Sequence, residues 1–330
     1  MYDAPPFSVN QKMLDLVFRI GEKVSGIEGY ESLDPSPRLR KQNRIRSIHS
    51  SCAIEANSLT LGQVSDIING HRVTGPEKDI IEVKNAVEAY SHLGEFDPYS
   101  ISDLLRIHEI LTRGVADESG SFRTRGEGVF SGDRCIFVAP PPERVRPNME
   151  NLFAWLNETR GDINPLIASC VFHYEFVFIH PFTDGNGRMA RLWQTAILGR
   201  WREIFHWIPV ENRIEMAQQE YYDVIDRCNA SGRSDAFIEF MLQAILNALE
   251  DTESSLKDHA EEVPANVSRL VSSMNEGEWY TSRQLMEAVG LRSRATFHTN
   301  YLKPALDRGI VKMEYPDSPR SSKQRYRIKE

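Results

Sequence analysis

The stretch VFIHPFTDGNGRMARLW, residues 177–193, decides how the chain is to be read. An apolar run is cut by His180-Pro181, a glycine-laced turn follows, and two arginines three residues apart open what reads as a new helix. Proline disfavours helical geometry at the residue before it, so the apolar segment is expected to end as a helix near His180 and present that imidazole at its mouth. Gly185 and Gly187 permit a sharp turn and a close approach of backbone to something bulky. The next helix begins with free N–H groups and the positive end of its dipole, a seat for an anion. Arg188 and Arg191 share one face of its first turn, where they repel that end and each other unless a polyanion lies between them. Asp184 offers a hard oxygen suited to a magnesium ion that bridges phosphates. The chemistry that fits is a nucleotide polyphosphate held beside a histidine.

Outward from this stretch the pattern is mainly α. Residues 164–179, NPLIASCVFHYEFVFI, are apolar on nearly every face, as in a central helix ringed by others. Helices are also expected over 8–25, 38–68, 77–92, 100–113 and 143–158, and over 211–257 with breaks at Asn229 and Ser231-Gly232. The segment GSFRTRGEGVFSGDRCIFVAPPPERV changes texture: short apolar runs flank turn residues and three prolines close the second run. It predicts one β-hairpin, residues 128–139, lying on the helical body, with no other strand before residue 300. Residues 251–264, acidic and serine-containing, read as a linker. Beyond them, 265–330 run helix, glycine turn, capped helix, VKMEY, a Pro/Ser/Lys turn and RYRI, the order of a small α+β winged helix-turn-helix domain.

With 330 residues, 41% hydrophobic and 26% charged, the chain has room for a buried core and more than one domain. No window of 18 apolar residues occurs, and MYDAPPFSVNQKM lacks the zones of a secretory signal, so a cytoplasmic protein with no membrane partner is expected. Cys52, Cys135, Cys170 and Cys228 form no CxxC pair and no zinc spacing, and read as reduced packing residues. The net charge of −8 argues against a chain that coats nucleic acid, yet residues 264–330 carry 12 Lys/Arg against 7 Asp/Glu. Arg292, Arg294, Thr296 and His298 would line a recognition helix, with Lys323, Arg325 and Arg327 near the wing. DNA is therefore one candidate partner; protein docking is another, and a homodimer stays open. His108-Glu109 starts a metalloprotease pattern that position 112 does not complete, so packing is the better reading. The P-loop pattern GxxxxGK[ST] is absent.

Residues His180 to Arg191 match in full the signature HPFxxGNGRxxR, and on it the chain resembles the Fic family, enzymes that transfer AMP from ATP to protein hydroxyls. GSFR, FVAPPPERV and EYYDVIDRCN also look like Fic landmarks, so the likeness covers residues 40–250. It implies a Fic-fold helical bundle with a hairpin flap as catalytic core over 96–250, behind an N-terminal region, 1–95, whose helix at 45–60 is inhibitory. By this resemblance His180 would be general base on a Ser, Thr or Tyr hydroxyl of a target protein, which attacks the α-phosphorus as pyrophosphate leaves. Asp184 would hold Mg²⁺. Gly185, Asn186, Gly187 and Arg188 would bind phosphates, and Arg191 the γ-phosphate. Tyr221, Tyr222 and Asn229 resemble nucleoside contacts, and the flap around Ile136 and Phe137 would pair with an extended target segment.

SSCAIEAN, residues 50–57, resembles the family's inhibitory motif through Ser51 and Glu55, departing at Ala56 where glycine is commoner. A carboxylate reaching Arg191 would take the place of the γ-phosphate, so low basal activity is expected. Two alternatives remain at this point: removal of AMP with Glu55 aligning a water, and a nucleotide-sensing regulator that binds DNA. Intact Gly187 favours AMP over phosphate transfer.

Overall fold

In the structure, a computed structural model, residues 4–33, 37–131, 134–262, 264–275, 277–316, 318–319, 321 and 323–329 are described, without the side chains of 31–33, 129–131, 134–137 and 258–262. Two compact units divide the chain: Met1–Val24 with Arg40–Glu250, and Ser25–Leu39 with Asp251–Glu330. In order, the helices and strands up to the end of the longest helix are α1 (Gln11–Leu33), α2 (Pro37–Ala53), α3 (Leu61–Ile68), α4 (Glu77–Ser91), α5 (Ile101–Thr112), β1 (Gly128–Ser131), β2 (Arg134–Val138), α6 (Pro142–Glu158), α7 (Pro165–Ile179), α8 (Asn186–Trp201), α9 (Val210–Met216), α10 (Gln218–Ser231) and α11 (Asp235–Glu262). Among the described residues no helix is long and apolar enough to cross a membrane.

The core of the first unit is gathered on α7 and α8. Asn164 opens α7, its side chain accepting from the Leu166 N–H at 2.9 Å, and Pro165 fits the first turn because its missing N–H is not needed there. From Asn186 to Gly199 every residue of α8 except Gly187 is buried. Phe153 meets Phe172 edge to face at 5.4 Å, and Trp193 stacks on Phe96 at 4.9 Å while its indole N–H donates to the Pro98 carbonyl. Each such ring removed from water is worth about 1.5–3 kcal/mol, which fixes α7 and with it the turn that follows.

The segment expected as one helix over 38–68 is two. α2 ends at Ala53, Ala56 takes a left-handed conformation (φ 64), and α3 restarts behind a capping box in which Thr60 and Gln63 exchange side-chain and main-chain hydrogen bonds. Apolar spacing does not register that polar side chains have taken over the backbone groups between. The first helix starts later and runs further than 8–25, because the Asn10 side chain caps it by accepting from the Met13 N–H at 3.0 Å. Residues 211–257 divide into α9, α10 and α11; the break falls at Gly232 (φ 65), and Asn229 lies within α10. The stretch read as a linker, 251–264, is helical to Glu262, with Glu253 and Lys257 paired one turn apart at 2.8 Å and no breaker before Pro264.

The hairpin pairs Gly128 with Val138 and Val129 with Phe137, then shifts so that Phe130 faces Cys135 and Ile136 is left as a bulge. Ile136 and Phe137 thus belong to β2, and their side chains lie outside the described residues. Cys52, Cys170 and Cys228 are free and buried.

The second unit continues with α12 (Ala265–Val271), β3 (Tyr280–Thr281), α13 (Ser282–Ala288), α14 (Arg294–Phe297), α15 (Lys303–Asp307), β4 (Val311–Met313) and β5 (Arg325–Ile328). Its antiparallel sheet has the order β3-β5-β4, over a core that includes Leu270, Leu285, Phe297 and Leu302. Along this unit the order is helix, strand, helix, a second helix interrupted by a π turn, and two strands. β3 was not expected; two residues are too few for a period and pair with β5 only through the fold. A π turn, His298–Leu302, joins α14 to α15. Pro304 has no N–H for the Asn300 carbonyl, which accepts from the Asn266 side chain instead.

Candidate active site

α7 ends at His180, whose N–H closes the last turn on Phe176 O at 3.0 Å while its own backbone is left-handed (φ 51). Such a conformation costs a non-glycine residue about 1–2 kcal/mol and persists only where its surroundings hold it. Arg123, 2% exposed, does so: its Nε donates to the His180 carbonyl at 2.7 Å and its main-chain N–H to the Pro181 carbonyl at 2.9 Å. Burial pushes the His180 imidazole below its ordinary range, and the charge of Arg123 adds to this against the opposing pull of the Val177 backbone and of Glu55. The ring is therefore neutral at pH 7 and able to take a proton.

The turn after Pro181 is braced from behind. Asn186 is buried, its amide donating to the Phe182 carbonyl at 2.7 Å and its oxygen accepting from the Phe182 N–H at 2.9 Å. Its side chain is thus spent on shaping the turn rather than turned toward a ligand. His108 stacks on Phe182 with ring centres 3.5 Å apart. Because its Nδ1 accepts from the Gly120 N–H, its Nε2 carries the proton and donates to the Asp184 carbonyl at 3.0 Å. Gly185 stands at φ 81 as N-cap of α8, where a side chain would strike Thr112.

At the first turn of α8 a carboxylate already sits in the anion seat. A β-carbon on Gly187 would run into Glu55 and lie 3.1 Å from Arg191 Nη1. Glu55 Oε1 is 2.8 Å from Arg191 Nη2, which also donates to the Ser51 carbonyl at 2.8 Å, while Arg191 Nε donates to the Ser51 hydroxyl at 3.2 Å. Burial opposes the charge of Arg191, but Glu55 together with Tyr221 and Tyr90 outweighs it and holds the guanidinium firmly protonated. Arg188 is likewise buried, 3.0 Å from Asp184 Oδ1 and 3.4 Å from Glu82 Oε1. Yet among the described residues Nε of Arg188 and Nη1 of Arg191 have no hydrogen-bond partner, and Nη1 of Arg188 has only the 3.4 Å approach of Glu82. Buried donors left so cost about 1–3 kcal/mol each, a deficit that phosphate oxygens would remove.

Ser51 and Glu55 are held there by α9 and α10. The Ile54 carbonyl, at the end of α2, accepts from Gln218 Nε2 at 2.9 Å and from the Tyr222 hydroxyl at 3.3 Å, and Asn212 Nδ2 donates to the Ser50 hydroxyl. Tyr222 is 40% exposed beside this site, whereas Tyr221 is buried with its hydroxyl 3.0 Å from His173 Nε2. Asn229 accepts from the Tyr174 hydroxyl. Of the three expected nucleoside contacts, Tyr222 is exposed, Asn229 half-buried and Tyr221 buried.

Among the described residues no cluster of three or more His, Cys, Asp or Glu side chains suits a metal. Asp184 fits a different use. Oδ1 accepts from the Gly185 N–H and from Arg188, and the side chain is 36% exposed. One carboxylate is what magnesium takes from a protein when phosphates and water fill its other positions. Arg123, His108, Glu82 and Gln218 were not anticipated as parts of the site. GSFR offered a signal for Arg123, but the sequence does not display a side chain whose partners are carbonyls.

The Fic/DOC family matches residues 98–198, and the C-terminal domain described as Filamentation induced by cAMP protein Fic-like matches residues 265–329. A Fic family protein of known structure from Desulfovibrio desulfuricans is 42% identical at a TM-score of 0.75, with 99% of this chain and 98% of that one covered. Protein adenylyltransferase Fic of Nematostella vectensis is 31% identical over 243 residues, 71% of this chain and 54% of its own. Protein adenylyltransferase fic-1 of Caenorhabditis elegans is 31% identical over 218 residues, 63% of this chain and 41% of its own. The chain spans about half the length of the curated relatives it matches. With 42% identity running along 98% of a Fic protein, the chain belongs to the Fic family.

Proposed function

We propose that the chain is an autoinhibited protein adenylyltransferase, moving AMP from ATP to a Ser, Thr or Tyr hydroxyl of a protein and releasing pyrophosphate. The observation that carries this reading is the Glu55 carboxylate lying over Gly187 and bonded to Arg191, an acid in the place of a phosphate. Relatives named protein adenylyltransferase support it from outside.

In this mechanism Glu55 withdraws and the γ-phosphate of ATP takes its place against Arg191. Nε of Arg188, Nη1 of Arg191 and the free amides at the start of α8 bind phosphate oxygens. A target hydroxyl gives its proton to His180 as its oxygen bonds to the α-phosphorus. The bond from that phosphorus to the bridging oxygen breaks, and the electron pair leaves with pyrophosphate. Asp184 would hold magnesium, which when bound supplies neutralisation of phosphate charge.

Two variants test the reading by intact mass after incubation with ATP and magnesium. Glu55→Gly is expected to raise AMP incorporation about 5–150-fold, the range of a typical coupling energy. His180→Ala in that background should lower it at least about 100-fold. No gain in the first, or the same gain in the second, rejects the proposal.

Removal of AMP is a second reading, favoured by one observation: the Glu55 side chain is 36% exposed and open to a water it would align. Release of AMP from a pre-modified target that vanishes in Glu55→Gly distinguishes it. DNA is the weaker partner. Of the wing cations, Arg325 is bound to Glu314 through two contacts at 2.6 and 2.7 Å, and Arg327 lies over Trp279 at 4.9 Å.

A further inference from the structure

The guanidinium of Arg123, in the segment between α5 and β1, spends every hydrogen bond it makes on a main-chain carbonyl. Nε donates to His180 at 2.7 Å, Nη1 to Arg125 at 2.7 Å, and Nη2 to Pro140 at 2.6 Å and Ile179 at 3.4 Å. Arg125 is two residues on, but Pro140 lies 17 residues away and Ile179 and His180 lie 56 and 57, so one side chain ties its own segment to two distant stretches. Ile179 and His180 end α7, Arg125 leads into β1, and Pro140 follows β2. The cation also lies at the C-terminal end of α7, where the helix dipole favours it without a carboxylate.

We propose that Arg123 is a positioning residue that references the flap and the general base to one rigid group; this rests on the adenylyltransferase reading. The left-handed turn at His180 aims the imidazole, and Arg123 fixes the carbonyl on which that turn depends. The same side chain fixes both roots of the hairpin. A target strand added to the flap edge therefore delivers its hydroxyl at a set distance from the imidazole. Arginine suits the task because its planar fork reaches several acceptors in fixed directions, which a lysine ammonium on a flexible stem does not. On the same reading the nucleotide is bound at the first turn of α8, which none of these hydrogen bonds reaches, so loss of Arg123 acts on turnover rather than on ATP affinity.

The test compares Arg123→Gln and Arg123→Lys in the Glu55→Gly background, measuring ATP affinity by calorimetry, target modification by intact mass and hydrogen exchange over residues 128–138. Arg123→Gln is expected to lower kcat about 100-fold with ATP affinity within about twofold, and to speed exchange in the hairpin. Arg123→Lys should recover part of the turnover. Unchanged kcat in Arg123→Gln, or a parallel loss of ATP binding, overturns the proposal. If Arg123→Gln does not fold, Arg123→Lys decides on the same split between kcat and affinity. Should the Glu55→Gly parent transfer no AMP, the adenylyltransferase reading fails on its own. Exchange in the hairpin then judges the clamp, and rates equal to the parent's end it.

Discussion

Gly187 is the position where a single carbon decides between two anions. Its absent side chain is the space into which the Glu55 carboxylate reaches, with Arg191 close behind. Gly187→Ala should therefore expel Glu55 and obstruct a phosphate at the same point. AMP incorporation is expected to stay low even when combined with Glu55→Gly, while the melting temperature of the single variant falls, since a buried Arg191 stripped of its carboxylate costs about 3–5 kcal/mol and outweighs the roughly 1 kcal/mol that alanine adds to a helix. A Gly187→Ala protein as active as Glu55→Gly would show that the two acids do not share a seat. This residue was legible in the sequence because its reason is local: a helix start, a positive first turn, no room for a β-carbon. Asn186 was legible only as a motif member, and its side chain serves the Phe182 backbone. Arg123 was illegible because two of its carbonyl partners lie 56 and 57 residues away, and only the fold brings them together. Ala56 explains the departure from the family's inhibitory motif: the position is left-handed (φ 64), where glycine rests without strain.

The element we propose to be inhibitory is the end of α2, and it is held by contacts from α9 and α10. Gln218 and Tyr222 of α10 both donate to the Ile54 carbonyl, one residue before Glu55, whose carboxylate bonds to Arg191. Gln218→Ala combined with Tyr222→Phe should loosen that end and raise basal AMP incorporation severalfold, roughly the effect of 1–2 kcal/mol of lost hydrogen bonding. Added to Glu55→Gly, the pair should give no further gain, because the blocking group is already gone; additive effects in this cycle would mean that α10 acts elsewhere. Such contacts escape a periodicity reading, which places helices but not the polar stitches between them. The break between α2 and α3 was missed for the same reason, and β3 because strand pairing over two residues leaves no pattern. α7, α8 and the hairpin were read correctly since proline, glycine and apolar runs mark them directly.

For the whole molecule, buried titratable groups set the response to acid. Burial lowers His108 from an ordinary 6.5 to about 4 and His173 to about 3. The unfolded chain protonates both near pH 6.5 while the folded one refuses, so their contribution is full above that pH and lost as pH falls through the folded values. Each withdraws up to about 1.4 kcal/mol per pH unit. Glu175 works the other way: burial raises it from 4.5 to about 7, so its contribution is present below 4.5 and lost as pH rises through about 7. Between pH 6.5 and 4.5 two histidines oppose one carboxyl, and net stability should fall with acid. Urea midpoints at pH 7 and pH 5 measure this, and Glu175→Gln is expected to stabilise the protein at pH 8 and enlarge the drop. A midpoint that does not fall between pH 7 and 5 would contradict the buried neutral histidines. Domain-scale order in the C-terminal unit was legible through its caps, Thr281 with Gln284 and Ser293 with Thr296.

Glu55 and Arg191 belong to one chain and one compact unit, so on the proposed reading the Glu55 carboxylate is a tethered pseudo-ligand. Its effective concentration is set by geometry and not by how much protein is present. Dilution then leaves the idle fraction unchanged, and the specific rate per molecule should be the same at nanomolar and micromolar enzyme. Release has to come from something that pulls α2 away or outcompetes its carboxylate in place.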